Sequence, residues 1–213
     1  MTDKVLFAGF GPFPNTPVNA TESMMRALAK HGKQTIVLPV EWAHAAELLL
    51  AESITTKATW VLMNGVAGAR QPMWIESAAM DVFAEREDAA GKMPEVIRTT
   101  PTETVYVSID VGAAKKAADL AFRKVRDTLE GGLRLDAIMH GATMMDPRAE
   151  NAYVCNDTTW RVTRALSGTG ARAGFFHWPH ELRGAHVEAA CDVLLAIAAT
   201  LAQPRRASCT KSA

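Results

Sequence analysis

Three side chains in this sequence could together carry nucleophilic chemistry: Cys155, His177 and Glu76. Cys155 stands in Asn151-Ala-Tyr-Val-Cys-Asn156, in the opening turn of an expected helix. A thiol there meets unpaired backbone N–H groups and the positive end of the helix dipole, and both favour the thiolate. Most lone cysteines are buried packing, so position alone leaves that alternative open. His177 lies in Ala173-Gly-Phe-Phe-His-Trp-Pro179, late in an expected strand and among bulky apolar residues. A neutral imidazole in such surroundings needs hydrogen-bond partners. Backbone groups would serve a structural histidine, whereas a thiol on one side and a carboxylate on the other would serve a base. Glu76 falls in Met73-Trp-Ile-Glu-Ser-Ala-Ala-Met80, where nearly every neighbour is apolar. Burying an ionised carboxylate is costly unless it is paired. Glu76 therefore either faces solvent from an alternating strand or has a polar partner such as His177.

Other candidates are weaker. Cys191 falls on the apolar stripe of the last expected helix and reads as packing, and Cys209 lies in a polar tail. The three cysteines form no C-x-x-C pair, and their odd number suits a reducing compartment, so a cytoplasmic location is expected. His177 and His180 have a spacing that suits one helical turn, but Pro179 stands between them, so no metal site is expected. The sequence contains no G-x-S-x-G elbow and no Walker A loop, and Gly9-x-Gly11 lacks the third glycine of a dinucleotide fingerprint. No cofactor is expected.

The elements that must hold these groups alternate between two periods. Val5 to Gly9, Thr35 to Val40, Trp60 to Val66, Val105 to Ile109, Asp136 to Ala142 and Ala173 to Trp178 read as strands. Thr21 to Lys30, Ala43 to Glu52, Val111 to Leu129, Tyr153 to Leu166 and Ala185 to Ala202 read as helices. Asn19 or Thr21 is available to cap the first helix, and Gly131-Gly132 to close the third. Such alternation predicts a three-layer α/β/α fold with a mostly parallel, twisted central sheet, whose ligand sites gather beyond the carboxyl ends of its strands. The polar segment 84–104 has no clear period and reads as a long surface excursion, mobile in part. With no internal repeat and no linker, residues 1–203 read as one domain and 204–213 as a flexible tail.

Composition agrees with an ordinary globular protein of 213 residues, 48% hydrophobic and 22% charged. Its 23 basic and 23 acidic residues cancel, and no Lys/Arg run interleaves with aromatics, which argues against a nucleic-acid partner. The apolar run at the start is too short for a secretory signal, and nothing reaches the length of a membrane span.

Five short motifs, in order from near residue 5 to near residue 180, resemble those of the pyroglutamyl peptidase I (pyrrolidone-carboxylate peptidase) family. Gly9-Phe-Gly-Pro-Phe13 stands where that family has Gly-Phe-Glu-Pro-Phe, and Glu76-Ser-Ala-Ala-Met-Asp81 partly matches Glu-Arg-Val-Ala-x-Asn. Arg86 occupies the place of an arginine near the family's reacting centre. Tyr153-Val-Cys-Asn156 and Gly174-Phe-Phe-His-Trp-Pro179 match the motifs of its cysteine and histidine. The resemblance implies an omega-peptidase in which Cys155 attacks, His177 is the base and Glu76 orients it, acting on a small peptide with a blocked N-terminus. It also implies that Phe10, Phe13, Tyr153 and Val154 wall the substrate ring, with Arg86 beside the reacting carbonyl. Members of that family often form dimers or tetramers, a point on which the residues are silent. The departures are Gly11, Val66, Asp81 and Glu150-Asn151, together with a longer loop from Ala142 to Asn151. They are expected to lie around the pocket and to weaken its discrimination. Two other functions remain open: a same-fold cysteine amidase acting on another small cap or lactam, and a non-catalytic relative that keeps the pocket.

Overall fold

The computed structural model describes residues 4–14, 16–67, 73–126, 137–140 and 152–203, with backbone only at 67, 126 and 137–140. In chain order the elements are β1 (Val5–Phe10), α1 (Ala20–Lys30), β2 (Gln34–Leu38), α2 (His44–Thr56), β3 (Trp60–Ala67), β4 (Met73–Glu76) and β5 (Ala78–Met80). They continue with β6 (Thr104–Tyr106), α3 (Val111–Arg126), β7 (Ala137–His140), α4 (Val154–Leu166), β8 (Arg172–Pro179) and α5 (Ala185–Leu201). Six strands form one sheet in the order β2-β1-β3-β8-β4-β7, and β5 pairs with β6 in a separate antiparallel ribbon. The sheet is mostly parallel, as alternation predicts; the exception is β4, which runs antiparallel to β8 and parallel to β7.

Strand periodicity decides what each face of the sheet carries. Phe7, Leu62, Ile75, Phe176 and Trp178 pack with α1, α3 and α5. Leu6, Ala8, Phe10, Val61, Met63 and Phe175 pack with α2 and α4. His177, two residues after Phe175, shares the α2/α4 face, and so do Glu76 on β4 and Gly65 on β3. The helix that begins beside Cys155 covers that same face. The five residues between Leu166 and Arg172 allow only a tight reversal. The start of α4 consequently lies toward the carboxyl end of β8, where His177 sits.

Several expected boundaries shift. The first helix is capped by Asn19, whose side chain accepts from the Thr21 N–H at 3.0 Å. Gly9 lets β1 approach α1 closely, since a Cβ there would lie 2.7 Å from the Thr21 carbonyl oxygen. The expected strand from Val105 to Ile109 is confined to Thr104–Tyr106, because Val107 and Ile109 turn into the α1/α3/α5 core. The helix expected from Ala43 begins at His44 and continues to Thr56. Two short strands, β4 and β5, were not separately expected; their four and three residues are too few to set a period.

Segment 84–104 contains no helix, and regular structure returns only as it enters β6. It is nevertheless fastened by side chains. Asp88 accepts from the N–H groups of Ala90 and Lys92 at 2.9 Å each and from that of Trp42 at 3.1 Å. Asp81 accepts from Arg98, from the Thr102 hydroxyl and N–H, and from the Glu103 N–H. Burial pushes the Asp81 carboxyl up, but those hydrogen bonds and the Arg98 charge outweigh it and hold the group below its ordinary range. The Gly131-Gly132 helix stop, the longer loop before Asn151, Glu150-Asn151 and the tail with Cys209 lie outside the described residues. No helix among the described residues is long and apolar enough to cross a membrane.

Candidate active site

Glu76 ends β4 fully buried, and its Oε1 lies 2.7 Å from His177 Nδ1. The other side of the imidazole lies toward the Cys155 thiol, across the narrow space above Gly65. The convergence is visible at Gly65, which lies beside His177 in the β3–β8 ladder. A Cβ built there would stand 3.1 Å from Cys155 Sγ and 3.3 Å from His177 Cδ2. The three side chains that sequence spacing singled out are therefore adjacent, in the order carboxylate, imidazole, thiol. Burial pushes the imidazolium down, but the hydrogen bonds to Cys155 and Glu76, and their charges, outweigh it and hold His177 at about 9. Phe175 at 4.8 Å and Trp74 at 6.4 Å, both edge-on between ring centroids, leave the ring little freedom to turn. His180 joins no group of potential metal ligands; no cluster of three or more His, Cys, Asp or Glu fit to hold a metal occurs among the described residues.

Local structure at the helix start explains the position of the thiol. Tyr153 is the cap residue, in extended conformation, and gives no side-chain cap to the helix. The first-turn N–H groups of α4, which no residue within the helix can satisfy, therefore gather around Cys155. Phe10, Tyr153 and Val154 belong to one buried apolar cluster, and Phe13, Trp42 and Cys155 pack at its margin. Val154 is fully buried, which makes it a support for the wall more than a surface of it. Tyr153 is fixed on three sides: its hydroxyl donates to the Glu87 carbonyl at 3.0 Å, Trp42 meets it edge-on at 5.3 Å, and the Arg86 guanidinium lies 4.1 Å above its ring. Arg86 is thus held against Tyr153. Trp42, which no motif signalled, packs edge-on against the same ring.

Among the described departures from the family pattern, two side chains serve other tasks. The Val66 side chain packs into the α1/α3/α5 core, on the sheet face opposite Gly65. Asp81 spends its carboxylate on Arg98, Thr102 and Glu103. Strand parity accounts for the first, and the unpredicted ribbon β5–β6 for the second. The expectation that these two residues reshape the pocket is corrected. Gly11 remains close to the wall, in the turn after Phe10, with its N–H donating to the Leu38 carbonyl.

Gly65 gives a sharp test of this geometry. Gly65→Ala would bring a methyl group 2.9 Å from Phe175 Cζ as well as against the thiol and imidazole. A displacement of about 1 Å between reacting groups can cost ~10²-fold in rate. The variant is expected to lose ~10–10²-fold in kcat on an amide substrate while retaining its circular-dichroism spectrum; unchanged kcat would mean that the thiol and imidazole do not work at this separation.

An α/β sheet carrying a buried Glu–His pair beside a half-buried cysteine defines the class: the architecture and side-chain set of a cysteine hydrolase. No family model matches the chain. Curated relatives do: a pyrrolidone-carboxylate peptidase of Halalkalibacterium halodurans is 27% identical over 187 residues, 84% of this chain and 85% of that protein. One from Thermococcus onnurineus is 27% identical over 83% of each chain, and one from Cupriavidus taiwanensis 29% over 83% of this chain and 78% of its own. Among solved structures, pyroglutamyl peptidase I of Bacillus amyloliquefaciens superposes with a TM-score of 0.74 at 17% identity, covering 96% of this chain and 97% of that one. Pyrrolidone carboxyl peptidase of Pyrococcus furiosus gives 0.71 at 20% identity over 93% and 97%. In sequence and in fold, this chain is a relative of the pyrrolidone-carboxylate peptidases.

Proposed function

We propose that the protein is a cysteine omega-peptidase that removes an N-terminal pyroglutamyl group. The observation that carries this reading is the buried Glu76–His177 hydrogen bond with the Cys155 thiol on the far edge of the ring, in a chain related to pyrrolidone-carboxylate peptidases. His177 takes the thiol proton, and Cys155 Sγ attacks the carbonyl carbon that joins the cap to the next residue. The oxyanion is held by first-turn N–H groups of α4. Collapse of the tetrahedral adduct breaks the C–N bond as the imidazolium gives its proton to the leaving amine. Water, deprotonated by His177, then cleaves the thioester and frees the cap and the thiol. Glu76 holds the ring in the tautomer with its proton on Nδ1, and its charge supports the imidazolium. Phe10, Phe13 and Tyr153 form the apolar wall against a small neutral lactam, with Val154 behind them and Arg86 stiffening Tyr153. Residues 1–203 act as one catalytic unit in this reading, and a reducing, cytoplasmic setting suits an active thiol.

The test is release of aminomethylcoumarin from pyroglutamyl, prolyl and acetyl-capped amides. Because Val66 and Asp81 are turned to other tasks, the expected preference for pyroglutamyl over prolyl is ~10²–10⁴-fold, within what satisfied hydrogen bonds can supply. Equal kcat/KM values would point to a broader amidase, and thiol alkylation without any turnover to a binding protein.

A further inference from the structure

We propose that Asn156 is a positioning residue that sets the distance between the thiol and the imidazole, by tying the start of α4 to the chain segment that leaves Glu76. The proposal rests on the triad reading above but concerns a residue that reading does not use. Asn156 is fully buried. Its side-chain amide accepts from the Met80 N–H at 3.1 Å and donates to the Met80 carbonyl at 2.7 Å and the Val82 carbonyl at 3.1 Å. The amide thus pairs with Met80 as a neighbouring strand would, although it comes from a helix. One further backbone bond continues the seam, from the Ala84 N–H to the Ala152 carbonyl at 2.8 Å. Met80, Val82, Ala84 and Ala152 form a small apolar cluster of their own around it.

The result is a closed circuit. Cys155 lies beside His177 at Gly65, His177 is hydrogen-bonded to Glu76, and Glu76 runs through β5 to Met80. Met80 is clamped to Asn156, which is joined covalently to Cys155. Without the clamp, the start of α4 would keep only the Ala84–Ala152 backbone bond and apolar packing to the segment that leaves Glu76, and the distance from imidazole to thiol would be less firmly set. A helix start lacking a side-chain cap is free to fray, and a fraying of α4 moves Cys155 first. Asn suits this task because it alone among side chains of its length both donates and accepts in a planar amide. Asp would set a carboxylate against two carbonyl oxygens, and Ala would leave three buried backbone groups unpaired.

The experiment compares the wild type with Asn156→Ala and Asn156→Asp by circular dichroism, kcat and KM on a pyroglutamyl amide, and the pH profile of Cys155 alkylation by iodoacetamide. The titratable groups that act on the pair are Glu76 from β4 and Tyr153 at the helix start, and neither is altered. Folded Asn156→Ala is expected to lose ~10–10²-fold in kcat with KM within about threefold, and alkylation near neutral pH should slow by a similar factor. A folded variant with the wild-type profile and kcat would overturn the proposal. Should both variants fail to fold, hydrogen exchange in the wild type decides: the Met80 amide should become exchangeable at the same denaturant concentration at which Cys155 becomes indiscriminately reactive, and separate openings would overturn the coupling. Because alkylation needs no turnover, this outcome stands apart from any failure of the peptidase reading, which Cys155→Ser tests.

Discussion

Cys155→Ser should abolish amide hydrolysis, by ~10⁴-fold or more, while leaving the fold in place. The sulfur and oxygen differ little in size, and the side chain is only half-buried at the margin of its cluster, so the thermal midpoint should move by a few degrees at most. The loss comes from chemistry. A serine hydroxyl is a far weaker acid than a thiol, so an imidazole does not draw its proton off in the ground state and the attacking oxyanion is not supplied. Cys191→Ala is the control that separates nucleophile from packing. Cys191 is buried on α5, its thiol near the Met24 carbonyl, and burial together with Glu188 and Asp192 pushes it up to about 12. It remains a neutral thiol at any working pH, so its loss should cost ~1 kcal/mol of stability and leave turnover within a fewfold. Iodoacetamide should inactivate the wild type in step with modification of Cys155, as followed by mass mapping, whatever the extent of labelling at Cys209. A Cys155→Ser protein with wild-type kcat would remove the nucleophile from the scheme.

Much of this was legible in the sequence because the decisive signals were local. The start of α4 is marked by Tyr153-Val-Cys-Asn156, the strand with His177 by an unbroken apolar run, and the face each residue occupies by parity along a strand. Glu76 was legible as a conflict: a carboxylate among apolar neighbours requires a partner, and the candidate named from composition alone is the one it meets. What could not be read depends on contacts distant in sequence. Nothing local shows that β4 runs antiparallel to β8, nor that Asp81 is used up across the base of the 84–104 excursion. Trp42 reaches Tyr153 from a turn after β2, and Asn156 finds its partner across an interval of 76 residues. Asp81 was misjudged for the same reason, whereas parity along β3 already sets Val66 on the face opposite Gly65.

Glu76→Gln should act through His177 and shift the pH range of activity. In the wild type, burial lowers the imidazolium, but the bonds and charges of Cys155 and Glu76 overcome it and hold His177 at about 9. The leaving amine takes its proton from that imidazolium, so kcat/KM should fall as pH rises through about 9. Glutamine keeps the shape and an acceptor for Nδ1–H but removes the charge, so the basic limb should move down toward the ordinary histidine value of ~6.5. At pH 8 the variant should lose ~10–10³-fold in kcat, around or below the usual worth of a general acid–base group, with KM little changed. His177→Ala should cost more, and the double variant should be far from additive. The same shift has a signature in stability. A histidine raised in the folded state stabilises fully below its unfolded value of ~6.5 and loses that contribution as pH rises through about 9. The gap in denaturant midpoint between wild type and Glu76→Gln should therefore be widest near pH 6 and shrink toward pH 9.5. An unchanged basic limb with a defect confined to KM would move Glu76 out of the triad and into the substrate pocket.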